Sequence, residues 1–309
     1  MASIITERTF DNLDDFFKEI VENKGKLYKE FISCMNNDVC NRFIFRGVPS
    51  MNYELIPSAL REEKVKELCR LSGHVRPTQG IISEVAQIKS EHLILQKFFS
   101  HCDYNGLKVP VIERFRIYDS YCDNFHAWLP NDLFELAGLA QHYGLPTRLL
   151  DWSFNFYIAL YFAIINAKKK DKYCSVWAFD VSLEKWFDRL GEKVKIVIPE
   201  YSQNPNLMAQ KGVFTLWQIR NPNPKHSHPV DRRPLNEQIE KHLSYLHGLG
   251  LDKKNVIFYK KNIPVKFKKD LLIFLSTIGY DGSTLFPGYD GVTRSMIDYG
   301  MIINNYQKT

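Results

Sequence analysis

Between Leu139 and Trp152 the chain reads Leu-Ala-Gln-His-Tyr-Gly-Leu-Pro-Thr-Arg-Leu-Leu-Asp-Trp, which places an amide, an imidazole, a phenol, a guanidinium and a carboxylate in one apolar stretch. Each polar group buried without a partner costs roughly a few kcal/mol and each unpaired charge more, so side chains this dense are either paired or used. Gln141 and His142 stand at a helix end from which they can reach across to the segment Thr147 to Trp152. His142 fits a general base or a ligand-binding group; the structural alternative is a helix-end histidine that favours the dipole. Arg148 and Asp151 are three apart, so on an extended strand they face opposite sides and need separate partners. Asp151 fits a catalytic carboxylate or, equally, the N-cap of the helix that starts near Asn155.

Four further groups carry chemistry. Arg46 follows Phe43, Ile44 and Phe45 and precedes Gly47. An arginine at the end of an apolar strand can clamp a phosphate or carboxylate with its planar fork, and the glycine lets a ligand approach the backbone. The alternative is a buried arginine paired internally, with Asp151 as one candidate partner. Gln210 and Gly212 stand where a loop enters a strand and suit a ligand amide or a plain junction. Asp281 and Asp290, in a turn-rich stretch, suit an acid or helix caps. From Arg220 to Asp270, lysine and arginine outnumber acids by twelve to five, with Lys260, Lys261, Lys266, Lys268 and Lys269 close together. This suits a nucleic-acid or phosphate patch, although the aromatics between them lack a single-strand stacking pattern.

The elements that position these groups follow from periodicity. Residues 11–35 predict a helix broken near Gly25, with Asp11 as its N-cap and Leu13, Phe16, Phe17, Ile20, Val21, Leu27 and Phe31 on one face. Residues 42–48 predict a buried strand carrying Arg46 near its end. Helical spacing recurs over 60–71, 82–99 and 111–128, which predicts a helical insert. Residues 132–143 predict a helix that stops at Gly144, and residues 155–167 are apolar all round, as in a fully buried helix. Strands are expected at 175–179, 194–198, 213–217 and 256–259, a helix at 235–246 and an exposed loop at 221–234.

The chain has 309 residues, 45% of them hydrophobic and 14% aromatic, enough to bury a core without disulfides or metals. A net charge of +6 permits an anionic ligand such as a nucleotide without requiring nucleic acid. The six cysteines lack metal-ligand spacing and read as free thiols, and no metal site is expected. With no signal-like N-terminus and no long apolar run, the expectation is a cytoplasmic protein without a membrane partner.

Phe45-Arg46-Gly47, Ala140 through Trp152, Ala159-Leu160-Tyr161-Phe162-Ala163, Gln210-x-Gly212-x-Phe214 and Leu285-Phe286-Pro287-x-x-Asp290-Gly291, in that order, resemble the bacterial FRG-domain family. The resemblance runs from about Arg42 to Gly291. It names a domain more firmly than an activity. ADP-ribosyltransferases are more distantly similar: Arg46 matches their aromatic-Arg-Gly strand, Thr147 to Ser153 with Ala159 and Phe162 looks like their second motif, and Gln210-Lys211-Gly212 falls at their third. That similarity implies that Arg46 holds cofactor phosphates or ribose and that the central motif lines a nicotinamide site. Gly212 stands where such enzymes carry a glutamate, so charge stabilisation must come from elsewhere, with Asp151, Glu200 and Asp290 as candidates.

The expectation is therefore an α+β fold with a central split β-sheet resembling the ADP-ribosyltransferase fold. It comprises an N-terminal helical extension at 1–41, an FRG-like domain at 42–291 with a helical insert at about 58–131, and a C-terminal helical tail at 292–309. The expected function is an NAD-using ADP-ribosyltransferase or NAD glycohydrolase, a bacterial toxin or defence effector. NAD is the substrate and a protein or nucleic acid the candidate acceptor. His142 and Asp151 are the candidate catalytic residues; Arg46, Gly47, Gln141, Tyr143, Thr147, Arg148, Gln210 and Phe214 are the candidate cofactor-binding set. The alternative is a non-catalytic module that recognises a nucleotide, nucleic acid or protein.

Overall fold

The computed structural model describes residues 3–22, 27–32, 42–73, 82–110, 112, 127–181, 193–201, 204–220, 222, 228–247 and 257–303. The strands are β1 (Ile5–Thr9), β2 (Phe43–Val48), β3 (Ala127–Trp128), β4 (Leu150–Ser153), β5 (Tyr173–Asp180), β6 (Val194–Val197), β7 (Gly212–Trp217), β8 (Ile219–Arg220) and β9 (Phe258–Pro264). The helices are α1 (Leu13–Val21), α2 (Val65–Ser72), α3 (Glu84–Tyr104), α4 (Phe134–His142) and α5 (Phe156–Ile165). They continue with α6 (Pro205–Ala209), α7 (Leu235–His247), α8 (Lys268–Thr277), α9 (Gly282–Leu285) and α10 (Tyr289–Ile303).

Seven strands form one sheet in the order β1-β9-β5-β2-β4-β7-β6, antiparallel except for the parallel pair β1 and β9. The fold is α+β, as expected, but the sheet is one continuous surface rather than two halves. Its two parts meet at a single register pair, Phe45 opposite Ser153. β4 ends at Ser153 and leads through Phe154 into the N-cap of α5, so the β2–β4 ladder is limited to this pair.

Alternation along β2 divides the interior. Phe43 and Phe45 join Phe16, Ile20, Phe156, Leu160 and Leu271 in a core under α1, α5 and α8. Ile44 and Val48 face the other side, with Leu150, Trp152, Trp177 and Ile239. A third cluster packs Phe214 and Leu216 of β7 against Leu133, Leu136 and Ala140 of the α4 region and Ile88 and Leu95 of α3. Because β1 pairs with β9 and Phe16 and Ile20 are fully buried, the N-terminal residues belong to the same core as the sheet. β1 was not expected: Ile-Thr-Glu-Arg-Thr is a half-exposed edge strand with little apolar signal.

The helix expected over 11–35 is α1 followed by a short turn at Tyr28–Ile32; Gly25 lies outside the described residues. Its N-cap is Asn12, not Asp11, because the Asn12 side chain accepts from the Asp15 amide at 2.8 Å. The insert contains α2 and α3; the helix expected at 111–128 falls mostly outside the described residues and its last two positions form β3. The tail at 292–309 is the greater part of α10 as far as Ile303. Cys69, Cys102 and Cys174 are free thiols, while Cys34, Cys40 and Cys122 lie outside the described residues. Among the described residues no helix is long and apolar enough to cross a membrane, and no cluster of potential metal ligands occurs.

Candidate functional site

The site forms where β2 and β4 diverge. Past the Phe45–Ser153 pair, a regular ladder would set Arg46 opposite Trp152 and Gly47 opposite Asp151, but neither pair forms. Instead Arg46 Nη1 donates to the Asp151 carbonyl oxygen at 2.6 Å and lies 3.4 Å from Asp151 Oδ2. A side chain thus supplies the hydrogen bond that a neighbouring strand would have made. The Arg46 side chain is 14% exposed and that of Asp151 59%, so the pair opens to solvent on its acidic side. Arg46 Nε is buried with no hydrogen-bond partner among the described residues. Burial pushes the guanidinium pKa down, and Asp151 opposes that shift.

The carboxylate is oriented from α4. Gln141 Nε2 donates to Asp151 Oδ1, and Gln141 Oε1 accepts from the Thr147 hydroxyl. Thr147 is fixed in turn by Ser58, whose hydroxyl accepts from the Thr147 amide at 3.1 Å and donates to its carbonyl at 3.2 Å. This relay exists because α4 stops where it does. Gly144 adopts φ +89, and the Leu145 amide returns to the Ala140 carbonyl at 3.0 Å. The left-handed glycine ends the helix and folds Thr147 back beneath Gln141.

His142 Nε2 lies 2.9 Å from the Asn206 amide nitrogen. Half-burial lowers the His142 pKa, with the Asp151 charge pulling the other way. Tyr143 is 71% exposed and sets its ring edge-on to His142, 5.2 Å between centroids.

The remaining expected site residues have other partners. Arg148 is buried on the insert side, its Nε 2.9 and 2.7 Å from the two Glu91 oxygens and its Nη2 paired with Glu84. Burial works against its charge, but Glu91 and Glu84 together hold the guanidinium above its ordinary range. Its fork is therefore occupied by the fold. Gly47 turns its open side to α5, where a Cβ would lie 1.8 Å from the Ala159 carbonyl oxygen; the residue permits strand–helix contact rather than ligand approach. Phe214 is 3% exposed and packs on Gly138, so it is core and not lining. Gln210 fastens three segments: its carbonyl accepts from Ser153 Oγ at 2.8 Å, and its Nε2 donates to the Leu285 carbonyl at 3.1 Å.

Of the candidate replacement carboxylates, Asp290 pairs with Arg294 at 2.8 Å, and the Glu200 amide is bound by Glu135. Asp281 caps α9 through a capping box. Asp151 is the one that adjoins Arg46. The Asn155 side chain, not Asp151, caps α5 by accepting from the Tyr157 and Ile158 amides. At Gly212 a Cβ would lie 2.3 Å from Leu207 Cδ1, so a side chain here requires the Leu207 side chain to move. Gly212 pairs with Ser153, which puts Asp151 on the same sheet face, two residues along the adjacent strand.

Among the five clustered lysines, Lys261 is buried with its ammonium over the Phe31 ring, and Lys260 pairs with Glu7 at 3.3 Å and covers Trp177. Lys268 donates to the Ile165 and Ala167 carbonyls at 2.7 and 3.1 Å. Ser58 was not expected at the site, and Asn206, the first residue of the stretch that carries Gln210 and Gly212, was not expected as a partner of His142. Asn204-Pro205, a helix start, is the local signal that presents Asn206 from α6.

Residues 41–172 match the FRG domain family, a stretch that contains Arg46, Gln141, His142, Thr147 and Asp151. The match supports the FRG family for this part of the chain. No curated protein and no solved structure matches the chain.

Proposed function

We propose that the Arg46–Asp151 junction binds NAD and cleaves its nicotinamide–ribose bond, as an NAD glycohydrolase or an ADP-ribosyltransferase. The observation that carries this reading is the solvent-facing Asp151 carboxylate, oriented by Gln141 and adjoining the buried Arg46 guanidinium. Cleavage of a ribosyl–pyridinium bond builds positive charge on the anomeric carbon, and a pre-oriented carboxylate stabilises that charge. Asp151 lies on the sheet face of Gly212, the position at which the distantly similar ADP-ribosyltransferases carry a glutamate.

In this scheme Arg46 anchors the phosphate or ribose with the donors not used on Asp151, and Tyr143 offers an exposed aromatic face. The C–N bond breaks, its electron pair leaving with neutral nicotinamide. Water or an acceptor nucleophile then adds to the anomeric carbon and releases one proton. Neutral His142 can take that proton at Nε2 once the Asn206 amide turns aside. Nicotinamide release, followed chromatographically with purified protein, is expected to be lost in Arg46→Ala and in His142→Ala while both variants stay folded. Absence of both NAD binding and nicotinamide release in the wild-type protein would overturn the proposal. NAD binding without release would instead favour a recognition module, a reading to which the existing Arg46–Asp151 contact lends itself.

A further inference from the structure

A cavity of about 650 Å³ lies at the end of the sheet where Tyr173 of β5 pairs with Pro264 of β9. Along β5 this is four residues, roughly 13 Å, from the position opposite Arg46. Its size is that of a pocket for a nucleotide-sized molecule. The floor is apolar, built from Ala167, Val265, Leu272 and Met301, the first three belonging to the main core. The rim is basic: Lys169 and Lys172 come from the turn between α5 and β5, Lys266 from the turn Val265–Phe267, and Lys268 and Lys269 from the start of α8. Asp11 and Asp171 are the acids at the rim, and Asp171 is engaged in its own turn through the Lys168 amide at 3.2 Å.

Two features set this apart from a solvated charged face. Lysines from segments nearly a hundred residues apart converge on one concavity with an apolar base. Lys266, Lys268 and Lys269 also stand at the N-terminal end of a ten-residue helix, where the helix dipole already places positive charge and only Asp270 in the first turn offsets it. That pattern works against the helix and favours an anion. Lys169, Lys172 and Lys266 have no carboxylate partner among the described residues; Lys172 and Lys266 lie over the rings of Tyr173 and Phe267 at 5.3 and 4.8 Å.

We propose that this cavity binds a phosphorylated small molecule of nucleotide size, its apolar or aromatic body on the floor and its phosphates among Lys169, Lys172 and Lys266. The test is calorimetric titration of the full chain with ATP, inorganic triphosphate and adenosine at low salt. ATP is expected to bind, triphosphate more weakly, and adenosine not measurably, with ATP affinity falling as salt rises. The variant Lys169→Gln/Lys172→Gln/Lys266→Gln, altered only at exposed positions, is expected to lose at least tenfold in ATP affinity. Failure of ATP to bind at millimolar concentration, or equal affinity in wild type and triple variant, overturns the proposal. Either failure leaves the NAD reading untouched, because nicotinamide release is measured separately and involves none of these lysines.

Discussion

Asp151 is held by Arg46 from one side and Gln141 from another, yet more than half of its side chain meets solvent. That combination separates it from Arg148, whose charge is spent on Glu84 and Glu91. Both stand in the same apolar run, but Arg148 precedes β4 and turns to the carboxylates of α3, whereas Asp151 lies within β4 beside Arg46. His142 follows Asp151 electrostatically. Burial lowers its pKa and the Asp151 charge opposes this, so Asp151→Asn is expected to lower it further, as read by titration of the His142 ring signals in NMR. An unchanged or raised value in the variant would show that the two groups do not communicate. The same shift sets a pH dependence. The unfolded chain takes up a proton near the ordinary value of about 6.5 while the native state resists it, so this residue's share of stability is present above that pH and lost below it. The Asn206–His142 contact escaped sequence reading because nothing local links residue 206 to residue 142; only the packing of α6 against the end of α4 does.

At the scale of elements, two devices position the site and each has a distinct failure. β2 lies against α5 through Gly47, where a Cβ would meet the Ala159 carbonyl at 1.8 Å. Gly47→Ala is expected to cost about 3 kcal/mol or more in denaturant unfolding, since neither backbone can give way cheaply. A loss below about 0.5 kcal/mol would mean that the helix can shift. The insert is tied to β4 by the buried Arg148–Glu91 pair, to which Trp128 Nε1 adds a hydrogen bond at 2.6 Å. Glu91→Ala leaves the Arg148 guanidinium with only Glu84, and about 3–5 kcal/mol of destabilisation is expected. The long periodic helices, the apolar α5 and the glycine stop after α4 were legible because their signals are local. The unbroken sheet was not: β1 is polar at its edge, and whether β2 joins β4 is decided by one cross-strand pair that no periodicity encodes.

For the molecule as a whole, α10 closes the helical face by burying Asp298 against Tyr161, whose hydroxyl donates to Asp298 Oδ2 at 2.7 Å. Burial raises the Asp298 pKa despite the Tyr161 and Gly282 hydrogen bonds and nearby Lys268. The native state therefore binds this proton more tightly than the unfolded chain. Stability from this group is full below the ordinary aspartate value and declines as pH rises through the shifted one. Asp298→Asn is expected to flatten that part of the stability–pH profile in thermal unfolding, and an unaltered profile would exclude Asp298 as its source. The proposed chemistry requires Asp151 to act on a reacting sugar rather than merely to hold Arg46. The most direct test is the rate of nicotinamide release from NAD by Asp151→Asn, measured beside its NAD affinity. The isosteric amide keeps the shape of the junction and removes the charge, so release is expected to fall at least a hundredfold, about 3 kcal/mol of lost transition-state stabilisation, with affinity within a few fold of wild type. Release at the wild-type rate in that variant would contradict the assignment.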